Sequence, residues 1–254
     1  MPQRTNTTFY EQLTRDAFEA VVRAKGLHEH ADYRTPQIQS LLSLGPMHPK
    51  SILVVGAGYG RDLTYLWSET DIQRIDAVEV CHRYYRHLWQ LSEDLERLDP
   101  RPHKKFRPFE ENIGTCNPWV DGEYDIAFWM FAGILELSEQ EKEGAVKRLF
   151  HMLKPGGHVV VDLPVGPITS TFDMSHPESD SVDLRGQSDG RARLRLGPVV
   201  PETGEVDLDR IKRDFIDQGR FAVVEHYKYP VDTDPPQRRE TLIFAKSLQP
   251  GPAV

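Results

Sequence analysis

Apolar residues fall into two periods along this chain. From Ser51 the run SILVVGAG is continuously apolar and ends in glycines, the pattern of a strand buried on both faces. Residues 74–80 (RIDAVEV), 125–130 (DIAFWM) and 158–163 (HVVVDL) repeat it. Helical spacing takes over between them. Leu63, Leu66 and Trp67 form one stripe. Tyr84, Leu88, Leu91, Leu95 and Leu98 form a second, halted by Asp99-Pro100. A third runs through Ala145, Leu149 and Leu153, opened by a capping box of Ser138 and Glu141 and stopped by Pro155-Gly156-Gly157. Residues 105–109 make a weaker strand, which Pro108 sends to a sheet edge.

The flanks read differently. Phe9, Leu13, Ala17 and Ala20 or Val21 predict an N-terminal helix. A second opens at Thr35-Pro36, buries Ile38, Leu41 and Leu42, and ends at Gly45. Residues 26–34 link the two as a loop. Residues 165–206 are rich in Pro, Gly, Ser and Asp, with an alternating stretch at 192–199 that suits one arm of a hairpin. Asp207 or Asp209 then caps a helix carrying Leu208, Ile211 and Phe215 and closed by Gly219. Strands at 221–229 and 241–246, joined through Asp234-Pro235-Pro236, suit an antiparallel pair. Strands alternating with helices predict a parallel, doubly wound α/β sheet.

Composition narrows the function classes. Of 254 residues, 39% are hydrophobic and 28% charged, enough apolar material for a packed core. The formal charge of −8 argues against a broad nucleic-acid footprint. No apolar run approaches the roughly 20 residues of a membrane helix, and the N-terminus lacks the apolar stretch of a secretory signal, so a cytoplasmic protein is expected. Cys81 and Cys116 are too few for a disulfide framework or a four-cysteine zinc site. The ten histidines show no metal spacing, and the closest pair, His28 and His30, reads as solvated loop. No metal is expected, and the sequence leaves oligomeric state open.

The candidate chemistry begins at VVGAGYGRD. Gly56, Gly58 and Gly60 stand where a strand turns into a helix, a place where side chains would keep a ligand from backbone N–H groups. A dinucleotide fingerprint needs its third glycine at position 61, which is Arg61, so a pyrophosphate cradle is the weaker reading. Glu79, nineteen residues after Gly60, ends the second strand, where an acid can accept both hydroxyls of a ribose. Asp76 is the rival acid, placed mid-strand.

These segments, together with YDIAFWMFAGILEL and RLFHMLKPGGHVVVDLP, resemble the class I S-adenosylmethionine-dependent methyltransferases of small-molecule type. The resemblance spans residues 51–164, and the final helix and two strands fit the family's reversed last hairpin. It implies a Rossmann-like doubly wound sheet, mostly parallel with an antiparallel last strand, plus N-terminal helices and a lid insertion. The parts are then a helical cover (1–50), the methyltransferase domain (51–246, with a lid at 165–206) and a flexible tail (247–254). It also implies S-adenosyl-L-methionine as cosubstrate, with Glu79 on the ribose and Glu110 or Glu111 on the adenine amino group. Trp129 and Met130 then face the cofactor, with Phe131 beside the acceptor. Tyr33 and Arg34 cover its methionine end, with Arg61 a competing partner for the carboxylate.

Acceptor identity is less legible. Asn117-Pro118-Trp119 looks like part of the signature the family uses on exocyclic base amines, but it precedes the fourth strand instead of following it. With the negative charge, this directs the expectation to an oxygen or nitrogen nucleophile of a small molecule, with no nucleic-acid or membrane partner. The lid carries Asp173, His176 and Arg185; His176 is the candidate general base because imidazole titrates near neutrality. Asp162 can orient a substrate or cap a strand. The alternative is a non-methylating relative, an aminopropyltransferase-like enzyme or a cofactor-binding regulator.

Overall fold

The computed structural model describes residues 10–11, 49–68, 70–117, 119–130, 133–165, 182–186, 192–196, 207–218, 220–231 and 237–247. Its strands are β1 (Ser51–Val55), β2 (Arg74–Glu79), β3 (Lys105–Glu110), β4 (Tyr124–Trp129), β5 (Leu153–Val165), β6 (Val182–Gly186), β7 (Ala192–Leu196), β8 (Phe221–Val231) and β9 (Gln237–Lys246). Its helices are α1 (Arg61–Ser68), α2 (His82–Leu98), α3 (Glu139–Met152) and α4 (Leu208–Arg213), which continues as a π turn over Asp214–Gln218. Seven strands form one sheet in the order β3-β2-β1-β4-β5-β9-β8. The first five pair in parallel, and β9 runs antiparallel to both β5 and β8. The doubly wound sheet with a reversed last strand is therefore present.

The burial of β1 explains its apolar run. All five residues are buried, because helices cover both faces. On one face Ile52 and Val54 meet Leu63, Leu66 and Trp67 of α1 and Leu88 of α2. On the other Leu53 and Val55 share a cluster with Ala145, Val146 and Leu149 of α3 and Ile211 of α4. The α2 stripe stops short of expectation: Leu98 is 72% exposed, while the Asp99 carbonyl accepts from Trp67 Nε1 at 3.0 Å. The Ser138–Glu141 capping box is formed, with the Glu141 carboxylate accepting from Ser138 N at 3.0 Å and Oγ at 2.6 Å.

The end of the third helix differs from the sequence reading. Helix α3 ends at Met152, before Pro155-Gly156-Gly157. Leu153, fully buried, turns extended and pairs with Tyr124 in β4. The Pro-Gly-Gly step is instead an irregularity inside β5, at the register shift between Tyr124 and Ile126. Between β3 and β4 the described residues form no helix. Side chains cover the sheet there: Ile113 and Cys116 enter the α3-face core, and Trp119 stacks on Phe109 at 4.7 Å.

Beneath that cover lies a buried ion network. Asp76 is wholly buried in β2 and accepts from Arg107 Nε at 2.9 Å and Nη2 at 2.7 Å, from Arg74 Nε at 3.0 Å, and from the Tyr124 hydroxyl. Tyr124 in turn accepts from Trp119 Nε1 at 2.8 Å. Burial pushes the Asp76 carboxyl up, but the hydrogen bonds from Arg107, Arg74 and Tyr124 outweigh it and hold it below the usual carboxylate range. The mid-strand acid is thus committed to joining strands.

Edge strand β3 carries Pro108, as its composition predicts. Strands β6 and β7 form an antiparallel hairpin, so the alternating stretch is one arm of it. Asp207, not Asp209, caps α4, accepting from Arg210 N at 2.9 Å. The last two strands are longer than their apolar patterns. The predicted N-terminal helices apart from residues 10–11, Gly219, Phe131, the lid apart from its two strands and residue 165, and the tail beyond 247 lie outside the described residues. No helix among the described residues is long and apolar enough to cross a membrane.

Candidate functional site

Where the parallel strands end, the chain between β1 and α1 is fastened to β2. Gly56 N and Ala57 N donate to the Val78 carbonyl at 2.9 and 3.3 Å. Gly58 N donates to Glu79 Oε2 at 2.8 Å, and Cys81 N donates to Glu79 Oε1 at 2.8 Å. One buried carboxylate therefore ties the loop to the start of α2. Charge-assisted hydrogen bonds of this kind are the stronger class.

The glycines do separate work. Gly56 has φ +65, and a Cβ there would meet nothing within 4 Å, so this turn of the loop opens on free space. A Cβ at Gly60 would lie 2.8 Å from the Cδ2 atoms of both Leu88 and Leu91, so this glycine lets α2 pack against the loop. Ligand approach is thus an argument for Gly56, whereas Gly60, at φ +75, is required both by its left-handed backbone and by interior packing.

Glu79 and Glu110 stand opposite each other as the last residues of β2 and β3. The Glu110 carboxylate meets His82 Nδ1 at 3.0 Å, and Glu111 N donates to the Glu79 carbonyl at 3.1 Å. Three acidic residues and the glycine loop therefore share one end of the sheet. Trp129 ends β4 at the same level, but its side chain is buried in the α3-face core. Alternation turns Met130 onto the α1 face with Val54 and Leu63. Arg34, Tyr33 and His176 lie outside the described residues, as does the Arg61 side chain.

Several residues at this rim carry no motif. Tyr59 packs against Tyr84 at 4.4 Å and His87 at 5.0 Å between ring centroids. Tyr10 meets Tyr84 edge-on at 6.2 Å, and Glu11 Oε1 accepts from Arg83 N at 3.4 Å. The N-terminal segment therefore touches the start of α2 beside the loop. Only the strand register brings His82 to Glu110; spacing along the chain gives no sign of it. Among the described residues no group of three His, Cys, Asp or Glu is placed to hold a metal ion.

A methyltransferase from Clostridium acetobutylicum superposes with TM-score 0.60 at 13% identity, covering 94% of this chain and 97% of that chain. This is the fold of the S-adenosylmethionine-dependent methyltransferases. The 1,6-didemethyltoxoflavin-N1-methyltransferase of Burkholderia thailandensis shares this methyltransferase fold at TM-score 0.55 and 14% identity, covering 92% of this chain and 91% of that chain. So does the cyclase SpnF, at TM-score 0.58 and 14% identity, covering 95% of each chain. No family model matches the chain. No curated protein matches it either.

Proposed function

We propose that this chain transfers a methyl group from S-adenosylmethionine to an oxygen or nitrogen nucleophile of a small molecule. The observation that carries the reading is the Glu79 carboxylate, held at the mouth of the glycine loop by Gly58 N–H and Cys81 N–H at 2.8 Å each. The open space at Gly56 fits a ligand lying against the loop. Glu79 would accept the ribose hydroxyls, and Glu110 or Glu111, next to it across the strands, the adenine amino group. Arg34 would meet the carboxylate of the methionine end.

Bound S-adenosylmethionine would supply a sulfonium methyl: the acceptor's lone pair would form the new bond to that carbon in line as the S–C bond breaks, its electron pair leaving with the thioether sulfur. The protein's own work is then to orient the acceptor and exclude water. Residues 1–50 would serve as a cover, 51–246 as the catalytic domain, and 165–206 as the lid. A base is needed only where the acceptor arrives protonated, and His176 is the candidate. A nucleic-acid partner does not suit a formal charge of −8.

The test is a thermal-shift comparison of S-adenosylhomocysteine, decarboxylated S-adenosylmethionine and NAD. Stabilisation by the first supports the reading. A preference for the second points to aminopropyl transfer, and for the third to hydride transfer. A mass-spectrometric methylation screen against metabolite extracts then identifies the acceptor. One observation keeps a non-methylating reading alive: the cyclase SpnF has the same fold.

A further inference from the structure

His158 Nδ1, Glu225 Oε2 and Thr241 Oγ1 are buried without a hydrogen-bond partner. All three belong to one face of the last three strands of the sheet. Val160 and Ile243 pack on the α1 face, whereas Val159, Val161, Leu242 and Phe244 pack on the α3 face. Alternation therefore puts His158, Asp162 and Thr241 on the α1 face, and Glu225 stands opposite Ile243. The register orders them along the strands. His158 lies opposite Ala245, deepest from the ligand end, and Glu225 is intermediate. Thr241 lies opposite Asp162 at the carboxyl end of β5.

That last pair continues a row that starts at the glycine loop. Val54 pairs with Phe128, and Trp129 with Val161, so Gly56, Met130, Asp162 and Thr241 are level on successive strands. At a strand spacing of about 4.8 Å, Asp162 is about 10 Å and Thr241 about 14 Å from the line of β1. Both side chains are closed off from solvent, at 1% and 0% exposure. A buried hydroxyl without a partner destabilises a fold, and valine would fill the same volume without that penalty. A group that completes the hydroxyl's hydrogen bonding accounts for a threonine here.

We propose that Asp162 and Thr241 bind the methyl acceptor, and that this acceptor presents an N–H beside a carbonyl, as an N-heterocyclic lactam does. The inference rests on the methyl-transfer reading above. The carboxylate only accepts, so it takes the N–H; the hydroxyl donates, so it takes the carbonyl. Side chains opposite each other on antiparallel strands stand about 5 Å apart, a span that brackets such an edge.

The probes are 2-pyridone and its N-methyl derivative, titrated by NMR with and without S-adenosylhomocysteine. The proteins are wild type, T241V, T241S and D162N. The expected result is 2-pyridone binding that falls at least about tenfold in T241V and D162N, and returns in T241S. N-methyl-2-pyridone should fail to bind. T241V should melt no lower than wild type, because it only removes an unpartnered hydroxyl. Equal 2-pyridone affinity in wild type and T241V overturns the proposal. So does no binding to wild type, or a T241V protein that melts lower. Homocysteine-adduct binding without pyridone binding defeats this inference alone. A pyridone response without adduct binding defeats the cofactor reading and leaves the site standing.

Discussion

Glu79 accepts a hydrogen bond from Gly58 N–H, so the end of β2 and the glycine loop move as one unit. Removing that carboxylate acts on two levels. Glu79→Ala strands the N–H groups of Gly58 and Cys81, and it deletes the proposed ribose partner. Each charge-assisted bond contributes about 1.5–3 kcal/mol. The variant should bind S-adenosylhomocysteine at least about tenfold more weakly by calorimetry and also melt lower. An unchanged dissociation constant would remove Glu79 from the site.

The loop glycines should separate by substitution. Gly60→Ala forces a Cβ against Leu88 and Leu91, and overpacking of this kind costs about 1–3 kcal/mol. Gly56→Ala meets open space but holds an alanine at φ +65, a strain of about 1–2 kcal/mol. Denaturant melts should rank Gly60→Ala as the less stable, while adduct titration should show the sharper loss of affinity in Gly56→Ala. The reverse ranking would place the ligand nearer Gly60.

Asp76 should govern stability and leave cofactor affinity alone. Asp76→Ala takes the carboxylate from Arg107 and leaves Arg74 paired with Glu123 alone, and breaking a buried pair costs about 3–5 kcal/mol. The folded pKa of Asp76 is depressed, so its contribution is complete above the unfolded pKa of about 4 and is lost as pH falls through the lower folded value. Melting temperature followed from neutrality down to about pH 3 should drop on the acid side in wild type. In Asp76→Asn that drop should be shallower. Parallel curves would assign the acid limb to other carboxylates.

Neither thiol should react in the native state. Cys81 is buried, and burial pushes its thiol up to about 12; burial raises Cys116 as well. At pH 8 both remain protonated and covered, and the thiolate is the reactive form. A chromogenic disulfide reagent should report no fast-reacting thiol until denaturant is added. Prompt labelling of one cysteine would show that the cover over α2 opens.

Replacing residues 165–206 with a short Gly-Ser linker tests the lid. Binding of S-adenosylhomocysteine, proposed to rest on β1 and β2, should survive, and turnover of an identified acceptor should vanish. Retained turnover would move the pocket to the N-terminal residues around Tyr10 and Tyr33.

Buried parallel strands were the most readable part of the sequence, because SILVV and DIAFW leave no polar face for solvent. Glu79 was readable from its distance to the glycines. Gly60 was not, since its neighbours Leu88 and Leu91 come from the next helix, and only packing shows which glycine is needed for space. Asp76 was equally hidden: Arg107 reaches it through the β2–β3 register and Tyr124 from β4. The end of α3 misled for a related reason. Pro-Gly-Gly is a strong stop signal, yet the buried Leu153 had already drawn the chain into the sheet. Thr241 gave no signal at all, because nothing in a sequence marks a hydroxyl without a partner.

The Asp76–Tyr124 hydrogen bond has a kinetic consequence. The two residues belong to β2 and β4, and β1 runs between those strands. Their side chains form a crossbar over Leu53, which lies opposite Asp76 on β1. β1 cannot slip out of the sheet while that bar is closed. Its amides should then exchange with solvent deuterium only when the whole domain opens, at a rate set by global unfolding and unaffected by local breathing.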